Sequence, residues 1–424
     1  MSHFSLFDLL SSIVAFFVLL TLFKNYVFLL VSPFHPFVER LRYLRARLAS
    51  GEKTMPSLKV SVVVPAWNEE VGILKTVESV LHNGYENCEI IVVNDGSTDN
   101  SDGIMREFLA RLSSGGLRLV KKVIYIYQEN GGKGKALNTG IKRATGDIIL
   151  TIDADSALEK GSLARLVRYY ADPKIMAVVG HVRVVNTKTL VGLAQHLEYY
   201  FGFYNKRGHA IMGAEYIFGG ACASFRRVVF DQVGLFDEKN KTEDIEMSMR
   251  LRHEGFRCTY AEDVICYTEG ASDFRGLIDQ RVRWKKGRFD TFIKYRSMFF
   301  STEESHNFFL SFFVLPFSLL AEFQLIFEPI AIAILVTYSI ITQEFLSLAV
   351  GVLFIFLVYV ATAIFSGKRP RPFLILLFPF TWPLFYVLDW VEFMALWKSL
   401  KMLRRGQDVT WQRWDRRGIR QYVK

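Results

Sequence analysis

Two patterns of apolar and polar positions alternate along the chain. From Leu58 to about Tyr267, the runs KVSVVVPA, CEIIVVND, KKVIYIYQ, GDIILTIDAD and IMAVVGHV are rich in β-branched residues and bounded by Gly, Pro, Asn or Asp, which predicts buried strands. Between them, the segments Glu69 to Leu81, Asn100 to Leu112, Lys135 to Ala144 and Leu158 to Tyr170 read as helices. The alternation predicts an α/β domain with a mostly parallel sheet.

Long apolar runs flank this domain. Leu9 to Leu30 carries a single charge, Lys24, and is followed by the basic stretch from Glu39 to Arg47. It lacks a basic N-terminal region and a small-residue cleavage site, so it is expected to be a retained transmembrane helix rather than a signal peptide. Apolar character returns in Phe308 to Ile341, Phe345 to Ile364 and Phe373 to Trp397. The first of these is long enough for one bent helix or two short crossings. The basic turn at Lys368 to Arg371 and the tail from Lys398, with nine Lys or Arg against two Asp, both favour the cytoplasmic side. Three runs cannot place the domain and both basic segments on one side, so either Pro379 and Pro383 mark a re-entrant or hairpin segment or the tail breaks the positive-inside tendency. The expected organisation is therefore a transmembrane helix in 1–32, a basic juxtamembrane helix in 33–57 and a cytosolic catalytic domain in 58–270. An amphipathic interface region in 271–306, transmembrane helices in 307–398 and a basic cytoplasmic tail in 399–424 complete it.

Composition agrees with a membrane protein. With 424 residues, 51% of them hydrophobic, and a formal charge of +10, the chain is too apolar for an ordinary soluble enzyme and too well mixed for a disordered one. Its four cysteines, Cys88, Cys222, Cys258 and Cys266, show no CxxC spacing and are expected to be reduced thiols.

The candidate chemistry sits at the expected carboxyl ends of strands, where α/β sheets bind ligands. Pro65, Asn68 and Glu69 follow the first strand and Asp95 ends the second. Asp153 and Asp155, two residues apart after DIILTI, offer hard oxygen ligands for Mg²⁺ or Mn²⁺, although a strand-end turn would also use them. The bend Asn130 to Lys135 brings glycines and two cations before a helix, a place for phosphate, yet it does not match the GxxxxGK[ST] pattern of nucleotide hydrolases. No GxGxxG follows the first strand, which argues against a dinucleotide-dependent oxidoreductase. Thr242, Glu243 and Asp244 precede a helix ending at Gly255, where Thr242 could simply cap the helix and the carboxylates face its positive end. An acidic group there could also take a proton from an attacking hydroxyl.

A helix through Arg275 to Tyr295 would be strongly basic: Gln280 to Arg296 holds seven Lys or Arg against one Asp, interleaved with Trp284, Phe289 and Phe292. A lipid interface explains the charge. A sugar ring stacked on Trp284 and a diphosphate paired to Arg281 or Arg283 would also explain Gln280 and the tryptophan. A domain tethered to a membrane at both ends makes a poor nucleic-acid binder.

Taken in order, VVVPAWNE, VVNDGSTD, GGKGKALNTG, DADS, FGGACASFRR, TEDIE and QRVRW resemble the membrane-bound processive family 2 glycosyltransferases of the poly-β-1,6-N-acetylglucosamine, hyaluronan, chitin and cellulose synthase type. The resemblance covers roughly Leu58 to Arg296. It implies a glycosyltransferase A-type (GT-A) fold combined with an α-helical transmembrane region, a UDP-sugar donor and a Mg²⁺ or Mn²⁺ ion. By that resemblance Asp95 binds uridine, and Asp153 and Asp155 hold the metal and diphosphate. Asp244 is the general base. Gln280 and Trp284 hold the acceptor, and Arg283 holds the diphosphate. Pro65, Asn68, Glu69 and Lys135 line the donor side, and Gly220, Ala221, Cys222 and Glu243 the acceptor side.

The partners it implies are a growing glycan or lipid acceptor, membrane lipids and an export partner for polysaccharide, with no nucleic acid. The implied location is the inner or plasma membrane, with the catalytic domain cytoplasmic. The short FRR after GGACAS and the modest length favour an N-acetylglucosaminyl donor over the cellulose type. A non-processive enzyme glycosylating a lipid has the same motifs, and an inactive membrane scaffold is the alternative of a different class.

Overall fold

The computed structural model describes residues 16, 23, 26–50, 57–114, 123–365, 378–407 and 418. The expected N-terminal crossing lies mostly outside them, as do the turn at Lys368 to Arg371 and the tail apart from Gly418. A short helical stretch leads through a 3₁₀ turn at Ser32–Phe34 into α1 (His35–Ser50). The domain then runs β1 (Val60–Ala66), α2 (Ile73–Leu81), β2 (Cys88–Asp95), α3 (Ser101–Ser114), β3 (Val123–Gln128), α4 (Lys133–Arg143), β4 (Ile148–Thr151), β5 (Ser156–Leu158) and α5 (Ser162–Tyr169). It continues with β6 (Ile175–Val184), α6 (Leu190–Ile211), β7 (Ala223–Arg226), α7 (Arg227–Val233), α8 (Glu243–His253), β8 (Arg257–Thr268) and α9 (Phe274–Lys294). Three long helices follow: α10 (Leu315–Thr342), α11 (Leu346–Phe365) and α12 (Phe378–Arg405).

The strands form one sheet in the order β3-β2-β1-β4-β7-β6-β8-β5. Every residue of β1 and β2 is buried, as expected of central parallel strands covered on both faces. The chain moves outward from β1 to β2 and β3, then returns to pair β4 on the other side of β1 with Val60 opposite Ile148. That reversal opens a crevice beyond the carboxyl ends of β1 and β4, the usual place for a ligand in such sheets.

The sheet is mixed: β1 with β2, β1 with β4, β2 with β3 and β6 with β8 run parallel, so parallel pairing predominates as expected, but antiparallel pairings were not foreseen. β4 with β7, β6 with β7, and β5 with β8 are antiparallel. The antiparallel half was missed because β5 and β7 span only three and four residues and β7 lies inside the glycine-rich FGGACASFRR segment. Glu69 to Gly72 form a turn before α2 rather than its first helical turn, after Asn68 enters the left-handed region at φ 55°. All four cysteines are free and buried, as expected of reduced thiols.

Three interfaces join the long helices to the domain. Leu384, Leu388 and Val391 of α12 pack with Val191, Ala194 and Leu197 of α6, and Ala395 packs on Val282 of α9. Leu310, Val314 and Leu315 pack with Met249 and Phe292. A wide π-type turn at Leu310–Val314 enters α10, so the first apolar run is one long helix with an irregular start. Among the described residues one helical window, Leu310–Phe327, is long and apolar enough to cross a membrane.

Candidate active site

A cleft of about 840 Å³ opens at the crevice between β1 and β4 and extends along α6 and α9 to Ser318 of α10. Each wall follows from a strand end or a helix start. The Pro65 to Glu70 turn, Asp95, Asp153 and Asp155 form one side. Gly220, Ala221 and Asp244 form the floor, and Gln280, Arg283 and Trp284 of α9 close the other side. Twelve of the fifteen residues singled out in the sequence thus line one cavity; Lys135, Cys222 and Glu243 do not.

The centre of the cleft is a cluster of three acids around one ammonium. Lys133 Nζ lies 2.6 Å from Asp153 Oδ1 and 3.4 Å from Glu243 Oε1. Burial alone would lower the Lys133 pKa, but Asp153, Glu243 and Asp244 outweigh it and raise it well above the ordinary lysine range, so the side chain stays cationic. Glu243 is buried, and burial pushes its carboxyl upward against the pull of Lys133. Asp244 Oδ2 accepts from the Gly220 backbone N–H at 2.7 Å, and its Oδ1 accepts from the Ile245 N–H at 2.9 Å. The backbone therefore fixes the carboxylate at the start of α8. Thr242, which could have capped that helix, instead donates its hydroxyl to Asn240 Oδ1 at 3.1 Å, so a helix cap does not account for the motif.

Of the two lysines in the glycine-rich bend, Lys133 rather than Lys135 enters the cleft. Helix α4 begins at Lys133, two residues earlier than the sequence pattern indicates, and the two residues of helical phase, about 200°, send Lys135 outward to an exposed position. Asp95 is what folds that bend: it accepts from the N–H groups of Gly131 and Gly132 at 3.0 and 2.7 Å and from Gln128 Nε2 at 2.7 Å. Cys222 is buried beneath the floor, against Gly180.

Among the described residues lining the cleft, the buried polar atoms without a hydrogen-bond partner include Asn68 Nδ2 and Gln280 Oε1. Asn68 Oδ1 is satisfied by the Thr98 and Asp99 N–H groups at 2.7 and 3.2 Å, which leaves its amide donor for a ligand. An orphaned buried polar atom costs about 1 to 3 kcal/mol, so a polar ligand on each would recover stability.

The donor chemistry also fits a hard divalent cation. Asp153 and Asp155 present carboxylate oxygens from one strand end, with Asp155 oriented by Ser156 Oγ at 3.0 Å and Thr268 Oγ1 at 3.4 Å. Among the described residues no three His, Cys, Asp or Glu side chains converge as a closed metal cage. One or two carboxylates completed by phosphate oxygens and water are the arrangement Mg²⁺ favours.

Sequence and fold comparisons identify relatives of the chain. The family model described as glycosyl transferase family 2 matches residues 61–234, and that of glycosyl transferase family group 2 matches residues 148–388. A poly-β-1,6-N-acetyl-D-glucosamine synthase from Staphylococcus aureus (strain COL) is 32% identical over 253 residues, covering 59% of this chain and 58% of that protein. The match thus spans little more than half the length of that relative. The same-named protein of Staphylococcus epidermidis is 27% identical over 415 residues, covering 94% and 97%. Among solved structures, a mannosyltransferase from Pyrobaculum calidifontis in complex with GDP-Man and Mn²⁺ shares the fold at a TM-score of 0.54 and 20% identity, over 91% of this chain and all of that one. The sheet is accordingly of the GT-A type. The chain belongs to family 2 of the nucleotide-sugar-dependent glycosyltransferases and is related to the poly-β-1,6-N-acetylglucosamine synthases.

Proposed function

We propose that the protein transfers N-acetylglucosamine from UDP-N-acetylglucosamine, with inversion, to the end of a growing polysaccharide, and that the polymer leaves through its membrane helices. The observation that carries this reading is that Asp244, Asp153 and Trp284 share one cleft that runs from the carboxyl ends of β1 and β4 to the start of α10. Asn68 offers a donor to the nucleotide, beside Pro65, Glu69 and Asp95. Lys133 and Arg283 face the acidic cluster from opposite walls and suit a leaving diphosphate. Bound between Asp153, Asp155 and the diphosphate, Mg²⁺ or Mn²⁺ would supply charge neutralisation of the leaving group. Asp244, held by Gly220, takes the proton of the acceptor hydroxyl as that oxygen attacks the anomeric carbon. Trp284 gives the acceptor ring a flat apolar platform, and Gln280 gives it an acceptor atom. Direct displacement needs no covalent sugar on the enzyme, and alignment and charge stabilisation do most of the work.

Membrane attachment with the domain in the cytoplasm has its own support. Outward-facing Phe323, Phe327, Ile334, Val350, Leu353 and Leu357 are exposed on α10 and α11, a surface suited to lipid. On α1 the exposed residues Phe37, Leu41, Leu44 and Leu48 recur at helical spacing beside exposed Arg40, Arg45 and Arg47, as on a helix lying at an anionic lipid surface.

The test is to incubate the purified protein with UDP-N-acetylglucosamine and Mn²⁺ or Mg²⁺ and size the product, with UDP-glucose and UDP-glucuronate in parallel. A ladder of N-acetylglucosamine polymer is expected. A single lipid-linked sugar would replace the processive reading with a glycolipid-forming one, and turnover of another donor alone would overturn the choice of sugar.

A further inference from the structure

Arg281 lies within the QRVRW segment, yet its charge is consumed inside the protein. It is buried, with Nη2 2.5 Å from Glu198 Oε2 on α6 and Nε 3.1 Å from Glu392 Oε1 on α12. The Nε contact is an ion pair whose angle falls short of a hydrogen bond. Its guanidinium carbon stands 4.4 Å from the centroid of the Trp284 ring. One flat cation thus covers the indole that faces the cleft while two carboxylates from separate helices grip its edges. Glu392 also pairs with Lys285 at 2.7 Å, and Lys285 with Glu322 of α10 at 2.5 Å. Arg288 completes the chain on Glu322 at 2.6 Å.

Three cations of α9 and three carboxylates of α6, α10 and α12 therefore balance in a largely buried network. Such networks contribute little net stability over apolar packing, and breaking one partner is costly, so their clearest use is to fix a geometry. The geometry fixed here is that of Trp284. Arginine, unlike lysine, presents a planar face that stacks on an aromatic ring while its edge binds carboxylates.

We propose that Arg281 is a positioning residue that orients Trp284 for the acceptor sugar, and that Glu392 holds Arg281, so acceptor use depends on how α12 is seated. This rests on the reading of Trp284 as the acceptor platform. It adds that a membrane-side helix, making no contact with substrate, sets the acceptor affinity.

The full chain in lipid nanodiscs carries the test, as Arg281→Lys and Glu392→Gln beside wild type. UDP affinity, donor hydrolysis and transfer to an added N-acetylglucosamine oligosaccharide are measured, using whichever donor the wild type turns over. Both variants should bind UDP and hydrolyse donor within about twofold of wild type, while the KM for the oligosaccharide rises about tenfold, the scale of a desolvated cation–π contact. Arg281→Lys retains the charge, so its defect isolates the lost planar stack; Glu392→Gln retains the shape and loses the charge that holds both Arg281 and Lys285. Equal losses in UDP affinity, hydrolysis and transfer, or an unchanged acceptor KM in a folded variant, would overturn the proposal. Failure of both variants to fold would make Arg281 a scaffold residue and overturn it too. Wild-type turnover of a different donor would count only against the choice of sugar.

Discussion

The backbone N–H of Gly220 donates to Asp244 Oδ2 at 2.7 Å, tying the loop before β7 to the first turn of α8 across the floor of the cleft. Both carboxylate oxygens accept from main-chain N–H groups, so in Asp244→Asn the amide keeps the shape and one of those bonds through its oxygen and gives up the other. Asp244→Asn should fold, bind UDP as wild type does and lose transfer by about 10² to 10⁴-fold, the usual contribution of a general base. Isothermal titration with UDP and a product assay on the same preparation separate the two effects, and full turnover by the variant would remove Asp244 from the mechanism.

Gly220 has its own constraint. A Cβ there would stand 2.7 Å from Lys133 Nζ, 3.4 Å from Asp244 Oδ2 and 3.7 Å from Asp153 Oδ1, in the middle of the charged cluster. Gly220→Ala must displace the ammonium from the acids. Displacements of about 1 Å at a reacting centre cost on the order of 10²-fold, so kcat/KM should fall by about that factor while thermal stability changes little.

The parallel half of the sheet and most of the site were legible in the chain because both rest on strong local signals. Val60–Ala66 and Cys88–Asp95 are apolar runs interrupted near their starts by Ser61 and Glu89 and ending at Pro65–Ala66 and Asn94–Asp95, and strand ends of this kind supply Asn68, Asp95 and Asp153. What was not legible depends on partners distant in sequence. Ser156–Leu158 becomes a strand only because β8 pairs with it, and Arg281 is neutralised by Glu198 and Glu392, residues 83 and 111 positions away. The choice between Lys133 and Lys135 turned on where α4 begins. Both lysines follow glycines, and the Asp95 bonds to Gly131 and Gly132 set the start of the helix, a fact absent from local spacing.

That difference between the two lysines is measurable. Lys133→Met removes the cation paired to Asp153 at 2.6 Å and leaves Asp153, Glu243 and Asp244 to repel one another. UDP affinity should fall by about tenfold or more, as expected for loss of a charge-assisted contact of about 1.5 to 3 kcal/mol. Lys135→Met, on the exposed side of α4, should bind UDP within about twofold of wild type. Equal losses in the two variants would mean that the cleft uses both cations.

Metal removal probes the other side of Asp153. If Asp153 and Asp155 hold Mg²⁺ or Mn²⁺ with the diphosphate, EDTA should abolish transfer and either ion should restore it. Asp153→Ala should need a higher ion concentration for half-maximal UDP binding. Undiminished UDP binding and turnover in EDTA would assign charge neutralisation to Lys133 and Arg283 instead.

Glu89 sits at the opposite end of the sheet from the cleft, and it links the fold to pH without touching the chemistry. Burial alone would raise its pKa, but Lys59 Nζ at 2.8 Å, Ser61 Oγ at 2.6 Å and the Thr145 N–H at 2.7 Å outweigh it. Together they lower it from 4.5 to about 2. A carboxyl held below its unfolded value stabilises the fold fully above pH 4.5, and that contribution is lost as pH falls from 4.5 through about 2. The gap corresponds to a contribution on the order of 2 to 3 kcal/mol near neutral pH. Glu89→Gln should therefore unfold at a lower temperature than wild type at neutral pH, by about 2 to 4 °C per kcal/mol in a domain of this size. The difference between the two proteins should shrink steadily on acidification toward pH 2, because protonation makes wild type resemble the variant. Donor hydrolysis at neutral pH should be the same in both, since every partner of Glu89 lies at the sheet's amino-terminal edge. A melting difference that stayed constant with pH would show that the glutamine perturbs packing rather than charge.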